Sequence, residues 1–223
     1  MSRPLEVDAI ARRVAQDIAD GAYVNLGIGL PMRVAEFLPA GREFVLHSEN
    51  GLLGMGPTPP AGHEDPDLIN AGKQPVTLRA GGAFFNQAES FAMVRGGHLD
   101  LTVLGAYQVA ANGDLANWAL PGAKAPAVGG AMDLAVGARA VWVMLAQHAA
   151  KDGAPRLLER CSLPLTAVAC VNRVYSDLAV IDITPNGFVV TDLLEGCSPD
   201  VLQAMTGAPL RFAPTLRVLK GAA

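Results

Sequence analysis

Apolar and polar positions along the chain alternate between helical and strand periodicity. Near the start, Ile10, Val14 and Ile18 recur at helical spacing while Arg12, Arg13, Gln16 and Asp17 lie off that face. This predicts an amphipathic helix within residues 5–20. Gly21 reads as its C-cap. Ala22 to Leu26 reads as a short strand that runs into Gly27-Ile28-Gly29-Leu30-Pro31. Pro31 suits the first turn of a helix continuing through Leu38. Phe44-Val45-Leu46 is a second buried strand. It breaks into His47-Ser48-Glu49-Asn50-Gly51-Leu52-Leu53-Gly54-Met55-Gly56-Pro57, whose glycines and proline read as a loop. Glu49 therefore stands where a strand ends and a close-fitting loop begins.

The same patterning continues to the C-terminus. Residues 57–75 form a long polar, proline-rich loop, and Pro75 to Arg79 read as a strand. A helix through Ser90 to Arg95 stops at Gly96-Gly97, and Asp100 to Ala106 is the next strand. Asn112-Gly113 marks a turn. In Val128-Gly129-Gly130-Ala131-Met132-Asp133-Leu134, paired glycines precede a helix-compatible segment, and Ala140 to Leu145 is a buried strand. Leu165–Val171, Leu178–Ile183 and Phe188–Leu194 read as further strands, the last two joined as a hairpin by Pro185-Asn186-Gly187. Ser198 caps a helix to Met205 with Pro199 at its first position. Strands and helices alternate in the first half, and strands dominate the second. That predicts a single α/β domain over residues 1–223, with a mixed, largely parallel sheet flanked by helices. Its core runs from about residue 5 to 210, and a C-terminal tail follows over 211–223.

Composition narrows the function classes. Hydrophobic residues make up 51% of the chain and charged residues 17%, a balance that favours burial of some surface against a partner chain. The net charge is −4 and no basic run occurs, so no nucleic-acid partner is expected. No apolar segment reaches the length of a membrane span. Met1-Ser2-Arg3-Pro4-Leu5-Glu6 does not read as a signal peptide. The three cysteines, Cys161, Cys170 and Cys197, are odd in number and lack CxxC spacing, which suits reduced thiols in a cytoplasm.

Several positions carry candidate chemistry. In open α/β sheets ligands bind at the C-terminal ends of strands, where Glu49 lies; position alone also fits a solvated turn residue. Gly27-Ile28-Gly29, between a strand and a helix start, could offer open N–H groups to an anion, or serve only as a turn. Asn25 is a polar amide inside an apolar strand, either a satisfied core amide or a donor facing a ligand. Gly129 and Gly130 could leave backbone N–H groups open as an oxyanion or phosphate cradle. His63, Glu64, Asp65 and Asp67 cluster in the long loop, a set more typical of solvated loops than of metal centres. His98, between Gly97 and the next strand, reads as a capping histidine or a site residue.

Taken together, six ordered motifs resemble the class I coenzyme A transferases, specifically the B (β) subunit of the two-chain 3-oxoacid enzymes. They are Asn25-Leu26-Gly27-Ile28-Gly29; Ser48-Glu49-Asn50-Gly51 with Gly54-Met55-Gly56-Pro57; Asp67-Leu68-Ile69-Asn70-Ala71-Gly72-Lys73; Arg95-Gly96-Gly97-His98-Leu99-Asp100; Gly113-Asp114-Leu115-Ala116-Asn117-Trp118; and Gly129-Gly130-Ala131-Met132-Asp133-Leu134. Pro126-Ala127-Val128 looks more like the 3-oxoadipate enzymes of aromatic catabolism. The resemblance implies that Glu49 is a nucleophile carrying a glutamyl–CoA thioester in ping-pong transfer from succinyl-CoA to a 3-oxoacid. It implies substrate or CoA contacts at Asn25, Gly27, Gly29, Asn50, Gly51, Gly129 and Gly130. It implies no metal and no cofactor, coenzyme A being a substrate. It also implies an A (α) subunit as partner, in a heterodimer or heterotetramer. Arg79, Arg95 and Lys73 are candidates for an acidic substrate end, with structural or solvated roles as the alternative. An acyl-CoA hydrolase and a non-catalytic ligand-binding module on the same scaffold are the competing readings.

Overall fold

The apolar runs of the first half assemble into the parallel centre of one large sheet. The computed structural model describes residues 3–122 and 129–221. The chain opens with α1 (Val7–Asp17), whose face of Ile10, Ala11, Val14 and Ala15 is buried. It then enters β1 (Ala22–Leu26), a 3₁₀ helix (Leu30–Phe37), β2 (Phe44–Ser48), β3 (Leu52–Met55) and β4 (Leu78–Phe84). Next come α2 (Gln87–Arg95), β5 (Leu101–Leu104), β6 (Gln108–Ala110), β7 (Leu115–Ala116), α3 (Ala131–Gly137) and β8 (Val141–Met144). The second half adds β9 (Leu157–Leu158), β10 (Val171–Tyr175), β11 (Ala179–Thr184), β12 (Gly187–Leu194), α4 (Pro199–Ala204) and β13 (Leu210–Leu219).

The main sheet has ten strands in the order β13-β12-β11-β10-β8-β5-β1-β2-β3-β4. From β10 to β2 every pairing is parallel, as is β12 with β13; the pairings β2–β3, β3–β4, β10–β11 and β11–β12 are antiparallel. Central parallel strands are covered on both faces, which is why they read as largely apolar runs. All four residues of β5 are buried, and Val24, Val103, Val143 and Val174 are fully so. A smaller sheet, β7-β6-β9, sits beside this core. No helix among the described residues is long and apolar enough to cross a membrane.

The predicted α/β architecture and most of its elements are observed, and five local expectations are corrected. Gly21 does not cap α1: Ile18 does, and Gly21 turns the chain into β1 with its N–H on the Glu43 carbonyl. The helix after Pro31 is 3₁₀, ending at Leu38, whose extended backbone is the one favoured before Pro39. Residues 52–55 are no loop, because β3 folds back on β2 as an antiparallel hairpin. Leu165 to Cys170 form no strand, since side chains take their backbone groups: Asp114 accepts the Ala169 N–H, and Ala169 has φ 46°. Residues 210–219 are a ten-residue edge strand and not a loose tail. Buried Asp192 accepts from both Arg13 of α1 and Arg217 of β13, which anchors that strand. The hairpin at 184–187 and the Ser198 cap, which accepts from the Val201 N–H, form as expected.

Candidate active site

Three neighbouring strands carry one polar residue each at the same level of the sheet. Asn25 on β1 is in register with His47 on β2 and with Thr102 on β5. All three are buried. The Asn25 amide nitrogen donates to His47 Nδ1 (3.1 Å) and to the His47 carbonyl (3.3 Å), and its oxygen accepts from the Thr102 hydroxyl (3.4 Å). Since the amide nitrogen can only donate, Nδ1 is the acceptor and Nε2 carries the proton. That N–H donates to Ser90 Oγ on α2 at 2.9 Å. Phe85 stacks against the ring.

Burial pushes the His47 pKa down to about 4. His148 is held in the same way, between Ser176 Oγ and Thr206 Oγ1, with its pKa also pushed to about 4. The sign follows from proton linkage. Between pH 6.5 and 4 the unfolded chain binds protons that these folded-state rings refuse, so their contribution is lost as pH falls through that window. Each ring is worth roughly 3 kcal/mol across it. Urea unfolding of His148→Gln should therefore show a shallower stability loss from pH 7 to 4.5 than the parent chain. An equal slope would refute the assignment.

Glu49 lies two residues beyond His47, in the turn that closes the β2–β3 hairpin. The Gly51 N–H donates to the Ser48 carbonyl (3.0 Å), and the Phe85 N–H donates to the Gly51 carbonyl (3.1 Å). The long loop 57–75 is strapped beneath this turn. Asn50 Nδ2 donates to the Ile69 carbonyl (2.7 Å), and Ser48 Oγ accepts from the Ala71 N–H (2.9 Å). Held in this way, the half-buried Glu49 side chain lines a cleft of about 490 Å³, together with Gly27, Gly129, Gly130, Tyr107 and Arg156 and walls of Leu104, Leu134 and Met144. Gly130 is the first residue before α3. A Cβ there would stand 3.0 Å from Glu49 Oε1 and 2.7 Å from Phe91 Cζ. Burial raises the Glu49 pKa, and among the described residues no cation is ion-paired with it to offset that cost. A partly desolvated carboxylate at a strand end, in an apolar-walled cleft of ligand size, is equipped for nucleophilic or acid–base chemistry.

A family model described as "Coenzyme A transferase" matches residues 7–202. The chain belongs to the coenzyme A transferase family. It is 57% identical over 204 residues to the B chain of the 3-oxoadipate CoA-transferase of Acinetobacter baylyi, covering 91% of this chain and 94% of that one. It is 46% identical to the beta chain of the acetate CoA-transferase of Escherichia coli K12, over 95% of this chain and 96% of that one. Among solved structures, the apoenzyme of the acyl-CoA transferase YdiF from Escherichia coli O157:H7 superposes with a TM-score of 0.77 at 18% identity. That match covers 98% of this chain and 44% of YdiF, and it carries the fold alone.

Within this transferase chain the expected site residues divide. Glu49, Gly27, Gly129 and Gly130 share the cleft. Asn25 does not reach it: its amide is spent on His47 and Thr102, so it is the satisfied core amide. Gly27 lines the cleft, but its N–H donates to the Val103 carbonyl (2.8 Å), so the expected open donor is absent there. Gly29 lies outside the lining, as the exposed residue before the 3₁₀ helix. Asn50 and Gly51 hold the turn through Ile69, Ser48 and Phe85 and are not among the residues that line the cleft. Arg95 pairs with Asp133 and Arg79 donates to the Phe44 carbonyl, and neither is among the residues that line the cleft. Lys73 is not among the cleft residues either. Glu64 and Asp65 accept from the N–H groups of Gly62 and Asp67 and so shape their own loop. His98 is exposed beside the C-cap of α2, its ring against Gly96, and does not reach the cleft. Pro126-Ala127-Val128 lies outside the described residues.

Sequence reasoning passed over His47 with Ser90, and Arg156. A row of Asn, His and Thr at matching depths in three apolar strands was the available signal for the first. Nothing local marks Arg156, which reaches the cleft only by tertiary packing. Gly130→Ala tests the crowding around Glu49. Its φ of −84° suits alanine, so the added methyl acts only by displacing Phe91 and the carboxylate. Turnover is expected to fall about 10²-fold with melting temperature little changed. Unaltered kinetics would show that Glu49 need not sit where it does.

Proposed function

We propose that this chain is the β subunit of a two-chain transferase that moves coenzyme A from succinyl-CoA to 3-oxoadipate or a closely related 3-oxoacid. The observation that carries this reading is the partly desolvated Glu49 carboxylate seated against Gly130 in the cleft. Family membership and the name of the Acinetobacter relative support the substrate class.

Glu49 attacks the thioester carbonyl of succinyl-CoA. The C–S bond breaks, CoA leaves as thiolate, and a succinyl–glutamyl anhydride forms. The thiolate then attacks the glutamyl carbonyl. The anhydride C–O bond breaks, succinate leaves, and a glutamyl–CoA thioester remains. The carboxylate of the 3-oxoacid attacks that thioester and again displaces CoA thiolate. The thiolate attacks the 3-oxoacyl carbonyl, which releases the new CoA ester and restores Glu49. Charge and electrons balance with no external proton, metal or prosthetic group. A carboxylate is a weak nucleophile, so its removal from water and its fixed position must supply much of the rate.

The α subunit completes the site in this reading, as a heterodimer or heterotetramer. Ile28, 62% exposed at the cleft, is apolar surface suited to such a contact. The test is mass spectrometry of the co-expressed complex after incubation with succinyl-CoA. The peptide containing Glu49 should gain CoA, and thioester loss should require an acceptor acid. An adduct on another residue, or release of free CoA without an acceptor, would sink the mechanism and favour a hydrolase.

A further inference from the structure

Among the described residues, one cationic side chain lines the cleft that holds Glu49: Arg156, immediately before β9. Its NH1 group donates to the Ala106 carbonyl at 3.3 Å, which steers the head group along the cleft wall. Its Nε is buried and has no partner among the described residues. Arg13, Arg33, Arg95, Arg139, Arg173 and Arg217 each pair with a carboxylate, whereas Arg156 is ion-paired with none among the described residues. Arg156 and Glu49 line the same cleft, and their charged ends stand farther apart than an ion pair allows.

The buried Nε is as shielded from the cleft as from solvent, but NH2 has no hydrogen-bond partner among the described residues, which leaves the outer edge of the guanidinium open. The group that satisfies it best is a carboxylate, which can take two of its N–H donors at once. Among the described lining residues Glu49 is the only carboxylate and it is not ion-paired with Arg156; Leu104, Leu134, Met144 and Leu145 are apolar. We propose that Arg156 binds the distal carboxylate of a dicarboxylic acyl group whose other end reacts at Glu49. This rests on the transferase reading and deepens it. In a ping-pong reaction the donor acid and the acceptor acid visit the same place in turn. Succinyl and 3-oxoadipyl groups both carry a second carboxylate, and one arginine reads both. Acetoacetate ends in a methyl group and leaves Arg156 unpaired. Arg156 is then the specificity-determining residue for the acid.

The test compares Arg156→Gln and Arg156→Lys with the parent chain, each co-expressed with the α subunit. The kcat/KM for 3-oxoadipate should fall about 10²-fold in Arg156→Gln, mostly through KM, while that for acetoacetate stays within about 3-fold. Arg156→Lys, which keeps the charge but loses the fork, should recover part of the loss. Equal losses with both acids would overturn the proposal, because a residue that holds the fold or the contact between subunits affects both alike. An unchanged preference for 3-oxoadipate would also overturn it. Calorimetric titration supplies an arm that needs no turnover. Adipate should bind the parent complex more tightly than hexanoate, and Arg156→Gln should erase the difference. If the parent complex binds both equally, the proposal fails whatever the kinetics. If the parent transfers CoA to neither acid, the transferase reading fails, while the titration still decides Arg156.

Discussion

Glu49→Gln in the two-chain complex is expected to lower CoA transfer by about 10⁴-fold or more, with no CoA found on the 49-containing peptide. The amide keeps the shape of the side chain but cannot form the acyl anhydride as a carboxylate does. The same substitution should leave thermal stability unchanged or raised. Burial lifts the Glu49 pKa above its ordinary value of 4.5. The ionised carboxylate is therefore disfavoured in the folded state at neutral pH, and stability is lost as pH rises through its titration. A neutral amide does not carry that cost. Loss of activity alongside an intact melting transition separates a reacting group from a structural one. Retained transfer, or a collapse in stability, would contradict the role.

Gly51→Ala is expected to cost about 3 kcal/mol or more in stability, the largest effect of any single methyl in the hairpin. Two causes add. The backbone at Gly51 has φ 121°, outside the range an L side chain tolerates, and the new Cβ would collide with the Phe85 carbonyl oxygen. That oxygen belongs to the chain leaving β4, so relief would require separating β4 from the β2–β3 turn. Gly81→Ala is the matched control: φ is 84° but the space around it is open, so about 1 kcal/mol is expected. Urea denaturation of the two variants checks the difference. Equal losses would show that backbone strain alone accounts for Gly51 and that the β4 contact is soft.

Much of the fold was legible because burial imposes periodicity. α1, β1, β5, β8 and the β11–β12 hairpin lie close to where their apolar spacing predicts. Errors gathered where a strand is an edge or where side chains take over backbone hydrogen bonding. Half of the residues of β13 are exposed and only Leu219 is buried, and the strand interleaves charged residues and Pro214, so it lacks the signature of a strand and exists because β12 and Asp192 receive it. Leu165 to Cys170 has that signature yet is claimed by Asp114, Asn117 and Leu115.

The candidate site divides along the same line. The sequence by itself determined that Glu49 ends a buried strand at a glycine turn, that paired glycines precede a helix about 80 residues later, and that the ordered motifs resemble one family. Those facts follow from local chemistry: strand periodicity, turn residues and the order of motifs along one chain. Only the tertiary structure decided which groups meet. It brought Gly130 against the Glu49 carboxylate, spent the Asn25 amide on His47, turned the N–H groups of Gly27 and Gly51 to structural carbonyls, and carried Arg156 into the cleft. The reason is physical. A donor's availability depends on what packs beside it, and strand register and helix docking set that neighbour from far along the chain.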